Sequence, residues 1–366
     1  LMDVETLIVG GGLAGLAIAR ELQRLKRPYH LVEARQRIGG RILTQSVDLG
    51  DKIAAFDLGP SWFWPGQERI EALIDELGLF AFEQYSDGGL VYENEQGRVQ
   101  HVEGYASMRG SLRVRGGLSC LVEALARDIP DASIRLDHRV SAVRRDGDLM
   151  LSCVVHAGSE TELIIRSQNV VLALPPRLAA STIDLGEVLP RPKLEMMAAI
   201  PTWMAGHAKV VAVYERPFWR ERGLSGDAMS RRGPLTEIHD ASPHEGGPYA
   251  LFGFVGVPAQ GRIDERGLRN QCVQQLARLF GPQAGEPIDL MLKDWAQDVL
   301  TAASLDRTPL THHPAYGLPK SLSSLCDGRL ILGSTETAMQ FGGYLEGALE
   351  AAERCVDELL GRPLLN

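Results

Sequence analysis

One stretch, VETLIVGGGLAGLAIARELQRL at residues 4–25, restricts the folds open to this chain more than any other. Residues 6–9 are an apolar run that predicts a strand, Gly10 to Gly15 (Gly10, Gly11, Gly12, Leu13, Ala14, Gly15) form a glycine turn, and Leu16, Ala19, Leu22 and Leu25 recur at helical spacing. In such a strand, turn and helix unit Gly10 permits the tight turn, Gly12 lets the backbone approach a pyrophosphate, and Gly15 lets helix and strand pack closely. The helix start offers free N–H groups to the anion. A second strand, YHLVEA, ends at Glu33, 18 residues after Gly15, where a carboxylate can accept hydrogen bonds from both hydroxyls of an adenosine ribose. The combination predicts a bound dinucleotide rather than a structural glycine turn.

Composition removes several other classes. With 366 residues, 45% of them hydrophobic, the chain can bury a large core and is long enough for roughly two domains. Lys and Arg number 38 against 47 Asp and Glu, a net charge of -9, and no basic block stands ready for a phosphate backbone, which argues against nucleic acid as a partner. Cys120, Cys153, Cys272, Cys326 and Cys355 lie far apart with no CxxC pair, so the thiols read as reduced and a disulfide framework or cysteine zinc site is not expected. The N-terminus has no signal-peptide pattern, and Leu1 ahead of Met2 reads as an addition before the natural first residue. No apolar run approaches the ~20 residues of a spanning helix, so a cytoplasmic protein with no membrane partner is the expectation. The neighbours His312 and His313 would face opposite ways on a strand, and a loop rather than a metal site is expected there.

The residues after the second strand choose between dinucleotides. Gly39, Gly40 and Arg41 supply another close-approach backbone and a guanidinium, suited to a pyrophosphate or an electron-rich flavin edge and unnecessary to a nicotinamide dehydrogenase. At the far end, DGRLILGSTETAMQFGGYLEGALEAAERCVDELL passes from a strand at 330–332 through a small-residue loop to a helix marked by Leu345, Leu349, Ala352, Val356 and Leu359. That helix is expected to begin at Gly342 and Gly343, and its roughly half positive charge would favour an anionic reduced flavin. Between the two ends, GHAKVVAVYERPFW at 206–219 predicts a strand on which Lys209 shares a face with Val211 and Val213. Alone, that lysine reads as a stem lying along apolar surface with its head in water.

Taken in order, the glycine turn, Glu33, Gly39-Gly40-Arg41, FDLGPSWFWPGQERIEALIDELGL and the terminal segment resemble the FAD-dependent amine oxidoreductases, the flavin-containing monoamine oxidase family. The likeness is strong at both ends and patchy between. It implies an α/β fold: a Rossmann-like, glutathione-reductase-like FAD-binding domain from 1–82, 112–178 and 300–366, and a discontinuous α+β substrate domain on a mixed sheet from 83–111 and 179–299. It also implies FAD, expected to be noncovalent because the family's attachment cysteine is missing here, and met by Gly10, Gly12, Leu13, Ala14 and Gly15, by Glu33, Ala34 and Arg35, and by Gly40 and Arg41. Further contacts are implied at Gly59, Pro60 and Ser61, at the Val140 backbone, at Trp295, and at Ser334, Thr335 and Leu345. KVVAVYERPFW matches the family strand whose lysine points through a water at flavin N5, so the resemblance turns Lys209 into a catalytic candidate, with Tyr344 before the flavin face as the other.

Departures from the family pattern are equally specific. VLTAASLD at 299–306 has no cysteine where mammalian members attach FAD, and counting from Trp295 puts Leu305 where the second tyrosine of the amine-holding cage is expected. Ser334 replaces a usual glycine. Between Gly88 and Arg115 stand about 25 residues where members insert a helical lobe, so the pocket is expected to be more open or to be closed by a partner subunit, as in a homodimer. Phe218, Phe252, Phe254 and Phe341 are candidates for its lining, with core packing the default for each. The implied activity is oxidation of a small-molecule amine at its C–N bond by hydride transfer to flavin N5, the imine hydrolysing and O2 or another electron acceptor being reduced, O2 to H2O2. Two alternatives remain open at this stage: a C–C desaturase or protoporphyrinogen-oxidase-like flavoprotein, and a flavin-bound partner-binding protein without catalysis.

Overall fold

The computed structural model describes residues 2–104, 106–159 and 162–361, so Leu1 lies outside the described residues. Two seven-stranded sheets dominate them. The first runs in the order His138–Asp146, Leu149–His156, Glu162–Leu172, Met2–Val9, Tyr29–Val32 and Ile134–Arg135, with Leu330–Leu332 beside the end of Glu162–Leu172. Met2–Val9 is parallel to both neighbours and extends further than its apolar run, because residues 2–4 pair with residues 165–167. Pairing to a long central strand overrides the polar residues at its start.

The first helix, Leu13–Arg24, buries Leu16, Ile18, Ala19 and Leu22 in one core with Leu345, Leu349, Ala352 and Val356 of the last helix, Leu345–Leu359. Each fully buried aliphatic side chain there contributes about 1.5–3 kcal/mol. The last helix starts at Leu345 with Tyr344 as its cap, two residues later than the double glycine suggested. The reason is local: Phe341 at φ +50° and Gly343 at φ +84° hold a left-handed turn that cannot belong to the helix.

The second sheet orders Asp289–Asp294, Ala208–Tyr214, Tyr249–Val255, Leu235–Asp240, Leu224–Ser230, Gly89–Glu93 and Val99–Val102. Ala208–Tyr214 lies inside it, paired on both sides, and all seven of its residues are buried. Val210, Ala212 and Tyr214 share a core with Leu268, Cys272, Leu276 and Leu279 of the helix Glu265–Phe280. The opposite face puts Val211 and Val213 against Phe56, Leu58 and Phe252. Lys209 belongs to that second face and is 5% exposed, so its head does not reach solvent along the sheet surface. The chain alternates between the sheets, and residues 83–111 contribute two strands of the second rather than a helical lobe. Among the described residues no helix is long and apolar enough to cross a membrane.

Candidate active site

A cavity of about 640 Å³ lies at the C-terminal ends of the parallel strands of the first sheet and continues beneath the second. Open α/β sheets bind ligands at this end. Every cofactor or catalytic residue assigned from the sequence lines it except Gly15. Gly15 sits under the turn instead, where an added Cβ would stand 1.9 Å from the Gly10 carbonyl oxygen. Its role is the close approach of helix and strand. Gly10 itself adopts φ +110°, open to glycine and strained for any side chain.

The dinucleotide end is tightly built. The Glu33 side chain is almost wholly buried and accepts hydrogen bonds from the Gly11 N–H at 2.7 Å and the Arg35 N–H at 2.8 Å. The first intrahelical bond joins the Leu16 N–H to the Gly12 carbonyl, so the amides of residues 13–15 head the helix without intrahelical partners. Gly39 donates its N–H to the Gly11 carbonyl at 2.8 Å, which draws the Gly39-Gly40-Arg41 backbone against the turn. Arg41 forms a two-pronged pair with the buried Glu336 at 2.7 and 3.2 Å, binding the two ends of the chain together. Ser334 lines the cavity with a buried hydroxyl oxygen that has no hydrogen-bond partner. An orphaned hydroxyl, free helix amides, glycine backbone and a buried carboxylate are a donor and acceptor set that fits a flavin dinucleotide.

The loop Gly59-Pro60-Ser61 is fastened from the second half of the molecule. Lys209 Nζ donates to the Gly59 carbonyl, and Trp295 Nε1 donates to the Leu58 carbonyl at 2.9 Å. Gly59 packs onto the arginine loop so closely that an added Cβ would lie 2.0 Å from the Arg41 carbonyl oxygen. The Lys209 ammonium position is 5.3 Å from the ring centres of both Phe252 and Phe254. Burial pushes its pKa down to about 8, and the charge of Asp57 opposes the shift. Asp57 is committed elsewhere, accepting from the Thr44 hydroxyl at 2.5 Å and the Leu118 N–H at 2.9 Å.

Tyr344 lines the cavity at the cap of the last helix, held where the Thr335 hydroxyl donates to its carbonyl at 2.8 Å. The His313 ring stacks on it at 5.0 Å and 22°, and His313 Nε2 lies 2.8 Å from the Gly342 carbonyl. Trp62, Trp64, Trp203 and Phe254 extend the aromatic lining. Leu305 takes no part: it is 66% exposed and does not line the cavity. It lies in a short 3-10 turn at residues 304–307. Asp306 pins the turn by accepting from the Ala303 N–H at 3.0 Å and the Thr202 N–H at 3.2 Å, which leaves Leu305 outward. Of the other aromatic candidates, Phe218 and Phe252 are core, Phe254 lines the cavity and Phe341 is partly exposed. Sequence reasoning missed Trp62 and Trp64, although PSWFWP carries a signal: alternation about a buried Phe63 puts both indoles on one face.

The family model for flavin containing amine oxidoreductase matches residues 13–104 and 100–360. The probable flavin-containing monoamine oxidase A of Dictyostelium discoideum is 24% identical across 99% of this chain and 98% of its own length. The putrescine oxidase of Kocuria rosea is also 24% identical, across 98% of this chain and 96% of its own. A solved structure of putrescine oxidase bound to putrescine has the same fold, with a TM-score of 0.82 at 22% identity, covering 99% of this chain and all of that one.

Proposed function

Because the chain belongs to the flavin containing amine oxidoreductases, we propose that it binds FAD noncovalently along the glycine turn and oxidises the C–N bond of a small amine. One observation carries the reading: a lysine buried in the cavity wall, fixed to the Gly59 carbonyl, faces the same space as Tyr344. The first sheet and its helices are read as the cofactor half and the second sheet as the substrate half. When bound, FAD would supply the hydride acceptor for the carbon beside the amine nitrogen, so that the amine would leave as an imine for water to hydrolyse and O2 or another acceptor would take up the electrons.

The protein's own groups bind, orient and exclude water. Glu33 holds the glycine turn and presents its carboxylate at the ribose position; the amides at residues 13–15 meet the pyrophosphate. Lys209 keeps a polar head at an otherwise apolar wall, and with a pKa of about 8 it can hold or release a proton at Nζ near neutral pH. The indoles and Tyr344 shed water from the amine, which favours its uncharged, oxidisable form. Noncovalent attachment is supported by the lining, which has no cysteine among the described residues.

The test loads purified protein with FAD and mixes it anaerobically with a panel of amines. Bleaching of the oxidised flavin, H2O2 on admitting O2, and free FAD in the supernatant after acid precipitation are expected. Bleaching only by polycyclic or polyene compounds without an amine would replace this reading with a C–C desaturase.

A further inference from the structure

The substrate end of the cavity has a wall where the sequence places none. Trp64 leaves a fixed backbone: its N–H is 3.1 Å from Gln67 Oε1, the Gln67 N–H returns to the Trp64 carbonyl at 3.1 Å, and Gln67 is 3% exposed. Phe63 beside it is buried and paired with Leu112 through both backbone groups, at 3.0 and 2.8 Å, so the alternation directs Trp64 to the cavity. There the indole meets Tyr344 edge to face, 5.9 Å between centres at 89°. Tyr344 is backed by His313 on the stacking side. The two rings form a right-angled corner, and a flat body laid on one wall meets the other at its edge, the arrangement aromatic groups prefer.

Charge sharpens the selection. Among the described residues lining the cavity, Glu33 is the one carboxylate, and it belongs to the dinucleotide turn, where it accepts from the Gly11 and Arg35 amides, rather than to the wall that holds Trp64 and Tyr344. Lys209 is basic, and burial keeps His207, whose ring lies 6.5 Å from that of Phe254, neutral with a pKa of about 4. A second ammonium group carried into this lobe would give up its hydration and find no counter-charge.

We propose that Trp64 and Tyr344 form the substrate corner of this enzyme, with Trp64 as its specificity-determining residue, and that the corner selects monoamines with a flat apolar body over diamines. The proposal rests on the amine-oxidising reading. Its test measures anaerobic flavin bleaching and kcat/KM with 2-phenylethylamine and putrescine for the FAD-loaded wild type, Trp64→Phe and Trp64→Leu. The wild type is expected to favour 2-phenylethylamine by at least ~100-fold. Trp64→Leu, which keeps an apolar side chain and loses the ring, is expected to lose roughly tenfold in kcat/KM for 2-phenylethylamine, chiefly through KM, with the flavin spectrum unchanged, and Trp64→Phe to retain most of it. Putrescine equalling 2-phenylethylamine in the wild type, or an unchanged KM in Trp64→Leu, overturns the corner and leaves amine oxidation standing. Bleaching by no amine of a broad panel overturns the amine-oxidising reading, and this proposal with it.

Discussion

Replacing Lys209 with Met keeps the length of the stem and removes the amine. Lys209 sits inside a sheet, bonded to the Gly59 carbonyl and flanked by Phe252 and Phe254, and its pKa falls from 10.5 to about 8 through burial, against the pull of Asp57. At pH 7 folded and unfolded chains both carry the proton, so the shift measures the cost of the buried ammonium, about 3 kcal/mol. Removing the amine also strips a hydrogen bond from the Gly59 carbonyl, worth roughly 1–2 kcal/mol. Lys209→Met should therefore be more stable than the wild type at pH 7 by about 1–2 kcal/mol. Between pH 8 and 10.5 the unfolded lysine keeps a proton that the folded one has released, so wild-type stability gains with rising pH and the variant lacks this gain. Above that window the variant should be the less stable of the two. Thermal melts of both FAD-loaded proteins from pH 7 to 10.5 would show the order reverse. A gap that stays constant across the window refutes the electrostatic reasoning. Stopped-flow rates complete the assay: flavin reduction or reoxidation should slow with FAD still bound, and two unchanged half-reactions would remove Lys209 from the chemistry.

His239 works in the opposite sense. Burial alone would lower its pKa, but hydrogen bonds to Asp227 at 2.8 Å and Glu237 at 2.7 Å outweigh that and raise it to about 9. Its stabilisation is therefore full below pH 6.5 and lost as pH rises through about 9, so His239→Gln should flatten that fall in equilibrium unfolding at pH 6, 8 and 9.5, and an unaltered slope would count against the clamp. Glu33→Gln keeps the shape and removes the charge, and FAD should then bind about 10–100-fold more weakly in a fluorescence titration, whereas an unchanged Kd would contradict its ribose role.

The two ends of the site were legible in the sequence because their chemistry is local. A glycine that must take φ +110°, a carboxylate at the end of the next strand and a double glycine beside an arginine are each fixed by neighbours a few residues away. The fold class followed from them. What escaped depends on contacts between distant segments. Lys209 looked like a surface lysine until the family pattern supplied a partner, since nothing in KVVAVY reveals that Gly59, 150 residues earlier, covers it. That Leu305 turns to solvent could not be read from a count along the chain, because it depends on Asp306 accepting from the Thr202 N–H about a hundred residues earlier. His313 was legible as a loop residue, but its stacking on Tyr344 depends on the fold of the following 30 residues. Trp64 was readable in principle from its alternation with Phe63, and composition alone gave no reason to prefer the cavity over the core.

The pairing of the first and last helices has a consequence in time. Translation delivers the N-terminus first, at about 5–20 residues per second, so Leu16, Ile18 and Leu22 leave the ribosome long before the Leu345–Leu359 surface that covers them. Ile70, Leu118 and Leu121 of the same core follow early, but the part of the first helix that faces Leu345–Leu359 waits for that segment, as does the cavity for Ser334, Thr335 and Tyr344. A cavity wall that takes in both Gly10 and Tyr344 is therefore complete only once segments more than three hundred residues apart have been made and have met.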